Sequence, residues 1–261
     1  MEVVISATPD QAGKLAADAI EELLQRRPDA VLGVATGSSP LLIYEELGRR
    51  VAQGSLSLVK ARAFMLDEYV GLPADHPQRY RHVIQAEFVD KVDIDPARVF
   101  GPDGLAADLL GACEAYERAI TDAGGVDLQI LGIGTDGHIA FNEPGSSLAS
   151  RTRIKTLTSQ TRRDNARFFG GNVDLVPQHC LTQGIGTILQ ARHLVLVASG
   201  RGKAEAVHQL VEGPVSALWP ATALQLHPHV TVLLDTAAAS RLQLASYYIE
   251  TYEGKPGWQG F

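Results

Sequence analysis

Five short segments of this chain are apolar almost without interruption: Ala30–Ala35, Ala63–Leu66, 127–132, His193–Ala198 and Val230–Leu234. A strand with one wet face alternates polar and apolar residues, so a strand apolar throughout needs cover on both faces. The stretches between them carry apolar residues at helical spacing. Leu15, Ala19, Ile20, Leu23 and Leu24 share one face of a helix that should stop before Pro28. Pro40 to Val51 and Lys203 to Val211 read as helices, and an alanine-rich helix is expected after Leu234. Leu105, Leu109, Cys113, Tyr116 and Ile120 make a helical stripe before the strand at 127–132. Strand and helix in alternation predict an α/β fold: a three-layer, open, mainly parallel, Rossmann-like sheet with helices on both faces.

At 261 residues this fits one domain over 1–261, and no stretch has the composition of a linker. The segment 145–182 is polar and rich in Arg, Ser and Thr, so it reads as a lid rather than core, with 153–182 as the lid proper. A net charge of −7 argues against nucleic acid or an anionic membrane as the main partner. Met1-Glu2-Val3-Val4-Ile5 does not open a signal peptide, and no apolar run approaches the ~20 residues of a membrane span. Cys113 and Cys180 stand alone, as buried thiols of a reducing cytoplasm would.

Chemistry concentrates in Gly134-Thr-Asp-Gly-His-Ile-Ala-Phe-Asn-Glu-Pro144, which follows the 127–132 strand and holds Asp136, His138 and Glu143 within eight residues. The loop after a buried strand lies at the carboxyl edge of the sheet, where α/β proteins bind ligands. Crowded titratable groups shift one another's proton affinities, and carboxylates beside an imidazole orient it and favour its charged form. Asp67 and Glu68 end the 63–66 strand, and alternation sends them to opposite faces, so at most one enters a given pocket.

Two further strand-to-helix loops have anion-binding features. Thr36-Gly37-Ser38-Ser39-Pro40 offers hydroxyls and backbone N–H groups at a helix start, with Pro40 suited to the first helical position and Ser39 to the cap. Ser199-Gly200-Arg201-Gly202-Lys203 adds two cations but is no Walker loop, because Val197 and Ala204 replace the required Gly and Ser or Thr. Gly132-x-Gly134-x-x-Gly137 matches a dinucleotide fingerprint in letters only: Pro144 and Gly145 break the following segment and no acid lies at 157. No nicotinamide, flavin or other cofactor is expected. His76, His82, His179, His193, His208, His227 and His229 make no metal pattern, there is no HExxH, and no serine sits in a GxSxG elbow. Arg151, Arg153, Lys155, Arg162, Arg163 and Arg167 form a basic region able to meet phosphate.

Together these residues resemble the glucosamine-6-phosphate deaminase family over nearly the whole chain. The resemblance rests on Thr36–Pro40, Met65–Leu72, Gly132–Pro144, Arg151–Leu157 and Asn165–Phe169, the second and third being the most specific. It implies conversion of glucosamine 6-phosphate and water to fructose 6-phosphate and ammonia, without a redox cofactor or metal, in the cytoplasm. By that resemblance Asp67 moves the C2 proton to C1, and His138, held by Asp136 and Glu143, assists ring opening. Thr36, Gly37, Ser38, Ser39, Arg167 and Lys203 would hold the phosphate, and Gly137 would contact the sugar.

Some members are hexamers activated by N-acetylglucosamine 6-phosphate at a subunit interface, others monomers. Ser146, Arg153 and Lys155 match that second site, whereas Ser246–Tyr252 departs from the activated members. Two rival readings share the fold. The 6-phosphogluconolactonases have Asp-Glu-Arg where this chain has Asp67-Glu68-Tyr69, and Thr-Ala-Ser where it has Ile139-Ala-Phe141. Sugar-phosphate sensors carry a DNA-binding module for which this chain has no spare length.

Overall fold

A computed structural model describes residues 1–260. The chain runs through β1 (Glu2–Ser6), α1 (Pro9–Arg26), β2 (Val31–Val34), α2 (Leu41–Ala52), β3 (Arg62–Met65), β4 (Asp67–Tyr69), α3 (Tyr80–Glu87), β5 (Val99–Phe100) and α4 (Leu109–Asp122). It continues with β6 (Leu128–Leu131), β7 (Arg153–Thr156), α5 (Ser159–Asn165), β8 (His179–Thr182), α6 (Ile185–Ile188), β9 (His193–Ala198), α7 (Ala204–Glu212), β10 (Val230–Asp235) and α8 (Ala245–Glu253). No helix among the described residues is long and apolar enough to cross a membrane.

Seven strands form one sheet in the order β1-β10-β9-β6-β2-β3-β5, and every pairing is parallel. The expected doubly covered parallel sheet is present. Alternate residues of one strand serve opposite faces: Leu32 and Val34 join the core under α1 and α2, while Val31 and Ala35 join the core under α4 and α7. The C-terminal end of β2 is pinned by the buried Tyr44, whose hydroxyl accepts from Ala35 N at 3.0 Å and donates to Ala35 O at 2.8 Å. Burying these two apolar layers is the dominant stabilisation, at about 25 cal/mol per Å² removed from water.

The local pattern misleads in four places. Leu105 lies in an exposed loop, because α4 starts only after Asp108, whose carboxylate accepts from Gly111 N and caps it. The alanine-rich stretch after β10 is a set of turns: Asp235 takes the N–H of Ala238 at 2.7 Å, and the helix waits until Ala245. Ser39 does not cap α2, since Pro40 already has helical angles and no side chain caps that end. Asp67 and Glu68 do not trail off the central sheet; they form β4 of a second, antiparallel sheet, β4-β8-β7.

That second sheet gives the polar segment 145–182 a buried part as well as an exposed one. Cys180, Leu181 and Thr182 are fully buried, and Tyr69, Leu72, Phe141, Leu157, Ala166, Phe169, Val176 and Cys180 share a small core of their own. The exposed, polar part is the stretch through α5. Both cysteines are free and buried, and burial pushes the Cys180 thiol well up.

Candidate active site

Strand order decides where the candidate residues meet. β9, β6, β2 and β3 are consecutive in the sheet and parallel, so the loops after them leave the same edge side by side. Those loops carry Lys203, then Asp136, His138 and Glu143, then Thr36–Ser39, and β3 leads through Leu66 directly to Asp67 of β4. Residues up to 167 positions apart in sequence are thus gathered at one carboxyl edge, the usual ligand position of such sheets.

The loop after β6 is built to present an imidazole. Gly134 N donates to His138 O at 2.8 Å, and Gly137 N to Gly134 O at 3.1 Å, closing a tight turn. Gly137 has φ +80°, which glycine adopts without strain, and a Cβ there would also strike Trp219 at 2.6 Å. A Cβ on Gly134 would lie 2.2 Å from the His138 ring, so the ring packs where only glycine leaves room. His138 Nδ1 lies 2.7 Å from Asp136 Oδ1. Burial pushes Asp136 up, but its hydrogen bond with His138 and the charge there prevail and hold it down at about 2. An ionised Asp136 fixes the proton on Nδ1 and leaves Nε2 for chemistry.

Glu143 is almost fully buried. One oxygen, Oε1, accepts from the Thr161 hydroxyl and lies 3.4 Å from that of Thr158; Oε2 has no partner among the described residues. One ligand-capable atom from each of Asp136, His138 and Glu143 lies within 4.8 Å of the others, so the three converge.

Asp67 is 6% exposed, and its carboxylate makes no hydrogen bond among the described residues. Burial, with the charge of Glu68 beside it, raises its pKa to about 8. A carboxylate so placed is a strong base for its type. Glu68 points the other way, as alternation requires. Its oxygens accept from the backbone N–H groups of Tyr69, Tyr80 and Arg81 and anchor the start of α3. The charges of Asp67 and Glu143 both add to the upward push on the buried Cys180 thiol of β8.

Two residues with no distinguishing mark in the sequence join Asp67 to the His138 loop. Thr182 is the register partner of Asp67, and its hydroxyl accepts from Phe141 N at 3.1 Å. Gln183 N donates to Leu66 O at 2.8 Å and Gln183 Nε2 to Met65 O at 3.0 Å, while Gln183 O accepts from Asn142 Nδ2 at 2.8 Å. Only the unforeseen strand β8 could have pointed to them.

Charges of both signs surround Lys203. Burial lowers the pKa of Lys203, with Asp136 opposing and Arg167 adding to the shift, so all three share one electrostatic neighbourhood. Gly37 has φ +99° and faces open space, and Ser38 is exposed. Asp235 accepts from Gly200 N at 3.1 Å, so that amide is occupied. Of Ser146, Arg153 and Lys155, the last two lie two apart on β7, half-buried, and Ser146 Oγ is buried without a partner among the described residues.

Similarities to known proteins point the same way. A profile of the family described as glucosamine-6-phosphate isomerases/6-phosphogluconolactonase matches residues 6–233. The chain is 71% identical over 260 residues to the glucosamine-6-phosphate deaminase of Mycolicibacterium smegmatis, and 61% identical over 260 residues to that of Streptomyces coelicolor, each covering all of both chains. Among solved structures, a monomeric glucosamine-6-phosphate deaminase superposes with a TM-score of 0.89 at 44% identity, over 92% of this chain and 99% of that one. The 6-phosphogluconolactonase of Trypanosoma brucei superposes at 0.74 with 21% identity, over 92% of this chain and 98% of the other, a likeness of fold alone.

Proposed function

The chain belongs to the family of glucosamine-6-phosphate isomerases and 6-phosphogluconolactonases, and from that membership we propose that it is an enzyme converting glucosamine 6-phosphate and water to fructose 6-phosphate and ammonia. One observation carries this reading: a buried carboxylate with raised proton affinity, Asp67, stands at the same sheet edge as an imidazole already oriented by Asp136. The reaction needs one base at C2 and a separate proton shuttle at the ring oxygen.

In this reading Thr36–Ser39, Arg167 and Lys203 hold the phosphate, and the Gly137 backbone borders the sugar. His138, with Nδ1 on Asp136, protonates the ring oxygen as the C1–O5 bond breaks and the C1 hydroxyl loses its proton, giving the open-chain aldehyde. Asp67 removes the C2 proton, and the carbonyl oxygen takes one up, giving an enolamine. Asp67 then returns its proton to C1, water adds at C2, and ammonia leaves. Glu143 supports His138. Residues 153–182 act as the lid of a single catalytic domain, with the stretch through α5 as the moving part. Ser146, Arg153 and Lys155 form the anion site for an activator, N-acetylglucosamine 6-phosphate, which requires assembly of several copies; the working compartment is the cytoplasm.

The test is formation of ammonia and fructose 6-phosphate from glucosamine 6-phosphate, with and without the N-acetylated analogue, against lactone hydrolysis as the alternative. Asp67→Asn should abolish exchange of the C2 proton with solvent while the phosphate ester still binds. Retained exchange removes Asp67 from the base role.

A further inference from the structure

Resting on the deaminase reading, we propose that Thr161 is a positioning residue whose hydroxyl couples the phosphate-holding segment to the carboxylate of Glu143. Thr161 is buried, and its hydroxyl donates to Glu143 Oε1. Thr158 stands behind it: Thr158 Oγ1 lies 3.0 Å from Thr161 Oγ1 and itself accepts from Thr161 N at 3.1 Å. The hydrogen bonds thus run from a backbone N–H of α5, through two hydroxyls, to one oxygen of Glu143. The other oxygen, Oε2, is left buried and, among the described residues, unpartnered in the cluster with His138 and Asp136.

The same helix continues into the turn Ala166–Phe169, which carries Arg167. Arg167 and Lys203 share one electrostatic neighbourhood, so a phosphate held between them fixes this end of the segment. Against β4 the segment is braced by Asn165 Nδ2, 2.9 Å from the Tyr69 hydroxyl, and by Phe169, edge-on to Tyr69 at 5.8 Å. In this proposal a phosphate on Arg167 and Lys203 holds α5, and with it the Thr161 hydroxyl, where these contacts place it. A hydroxyl donated to an ionised carboxylate stabilises the ion and fixes its orientation, so a displaced α5 leaves Glu143 free to turn away from His138.

Thr161→Val keeps the shape and removes the donor. With wild-type ammonia release as the reference, kcat should fall about tenfold, as loss of one hydrogen bond to a charged group allows. KM, and inhibition by 2-amino-2-deoxyglucitol 6-phosphate (the reduced, open-chain substrate), should stay within about threefold. Thr161→Ser should restore kcat. The proposal is overturned if Thr161→Val keeps wild-type kcat, if KM and inhibitor affinity carry the whole loss, or if Thr161→Ser is no better than Thr161→Val. Should Thr161→Val fail to fold, Thr161→Ala, which removes the same donor, should lower kcat in the same way, and wild-type kcat in that variant overturns the proposal equally. A wild type that releases no ammonia instead sinks the deaminase reading itself.

Discussion

Asp67 and Thr182 face each other across the antiparallel pair β4–β8, and the hydroxyl of that threonine accepts from Phe141 N. One side chain thus links Asp67 to the loop that bears His138. The local pattern contains nothing that singles it out.

Thr182→Val preserves volume but leaves the buried Phe141 N–H without an acceptor, which costs about 1–3 kcal/mol. At about 2–4 °C per kcal/mol for a domain of this size, Tm should drop by several degrees. The loss of kcat should exceed any change in KM, because the phosphate groups are elsewhere. Calorimetry and steady-state kinetics decide it, and wild-type values for both Tm and kcat refute the bridging role.

Gly134→Ala brings a Cβ to 2.2 Å from the His138 ring and must push the imidazole aside. A displacement on the order of 1 Å costs roughly 10²-fold in rate. Circular dichroism should remain native while kcat collapses. Full activity in a folded Gly134→Ala protein means the ring position is not critical.

The raised pKa of Asp67 ties stability to pH with a definite sign. Its folded value, about 8, exceeds the ordinary 3.8, so the folded protein holds a proton that the unfolded chain releases between those values. The Asp67 contribution to stability is complete below pH ~4 and is lost as pH rises through ~8, at a slope of at most about 1.4 kcal/mol per unit. Asp67→Asn should therefore raise Tm over wild type increasingly from pH 5 to pH 8. Wild-type kcat/KM should climb over the same range as the base ionises. A Tm difference independent of pH contradicts the assignment.

Lys203→Ala removes the half-buried cation beside Arg167. A hydrogen bond to a charged group is worth about 1.5–3 kcal/mol, so KM should rise roughly 10- to 100-fold with a smaller effect on kcat. An unchanged KM takes Lys203 out of the phosphate site.

Much of this protein was legible because its signals are local. Continuous apolar runs such as Val31–Val34 and His193–Ala198 admit little besides a doubly covered strand, and Asp136, His138 and Glu143 sit too close in sequence to be separated by folding. Where a side chain overrode propensity, the local pattern misled: Asp235 turned an alanine run into turns, and Asp108 delayed α4 beyond Leu105.

The sequence by itself determined the layers of the fold and the residue types able to do acid–base chemistry, because both follow from spacing along the chain. Only the tertiary structure decided that Asp67 is buried with a raised proton affinity, that β8 bridges it to the His138 loop through Thr182 and Gln183, and that Thr161 reaches Glu143. Burial and long-range pairing depend on which strands become neighbours, and no window of the chain contains that information.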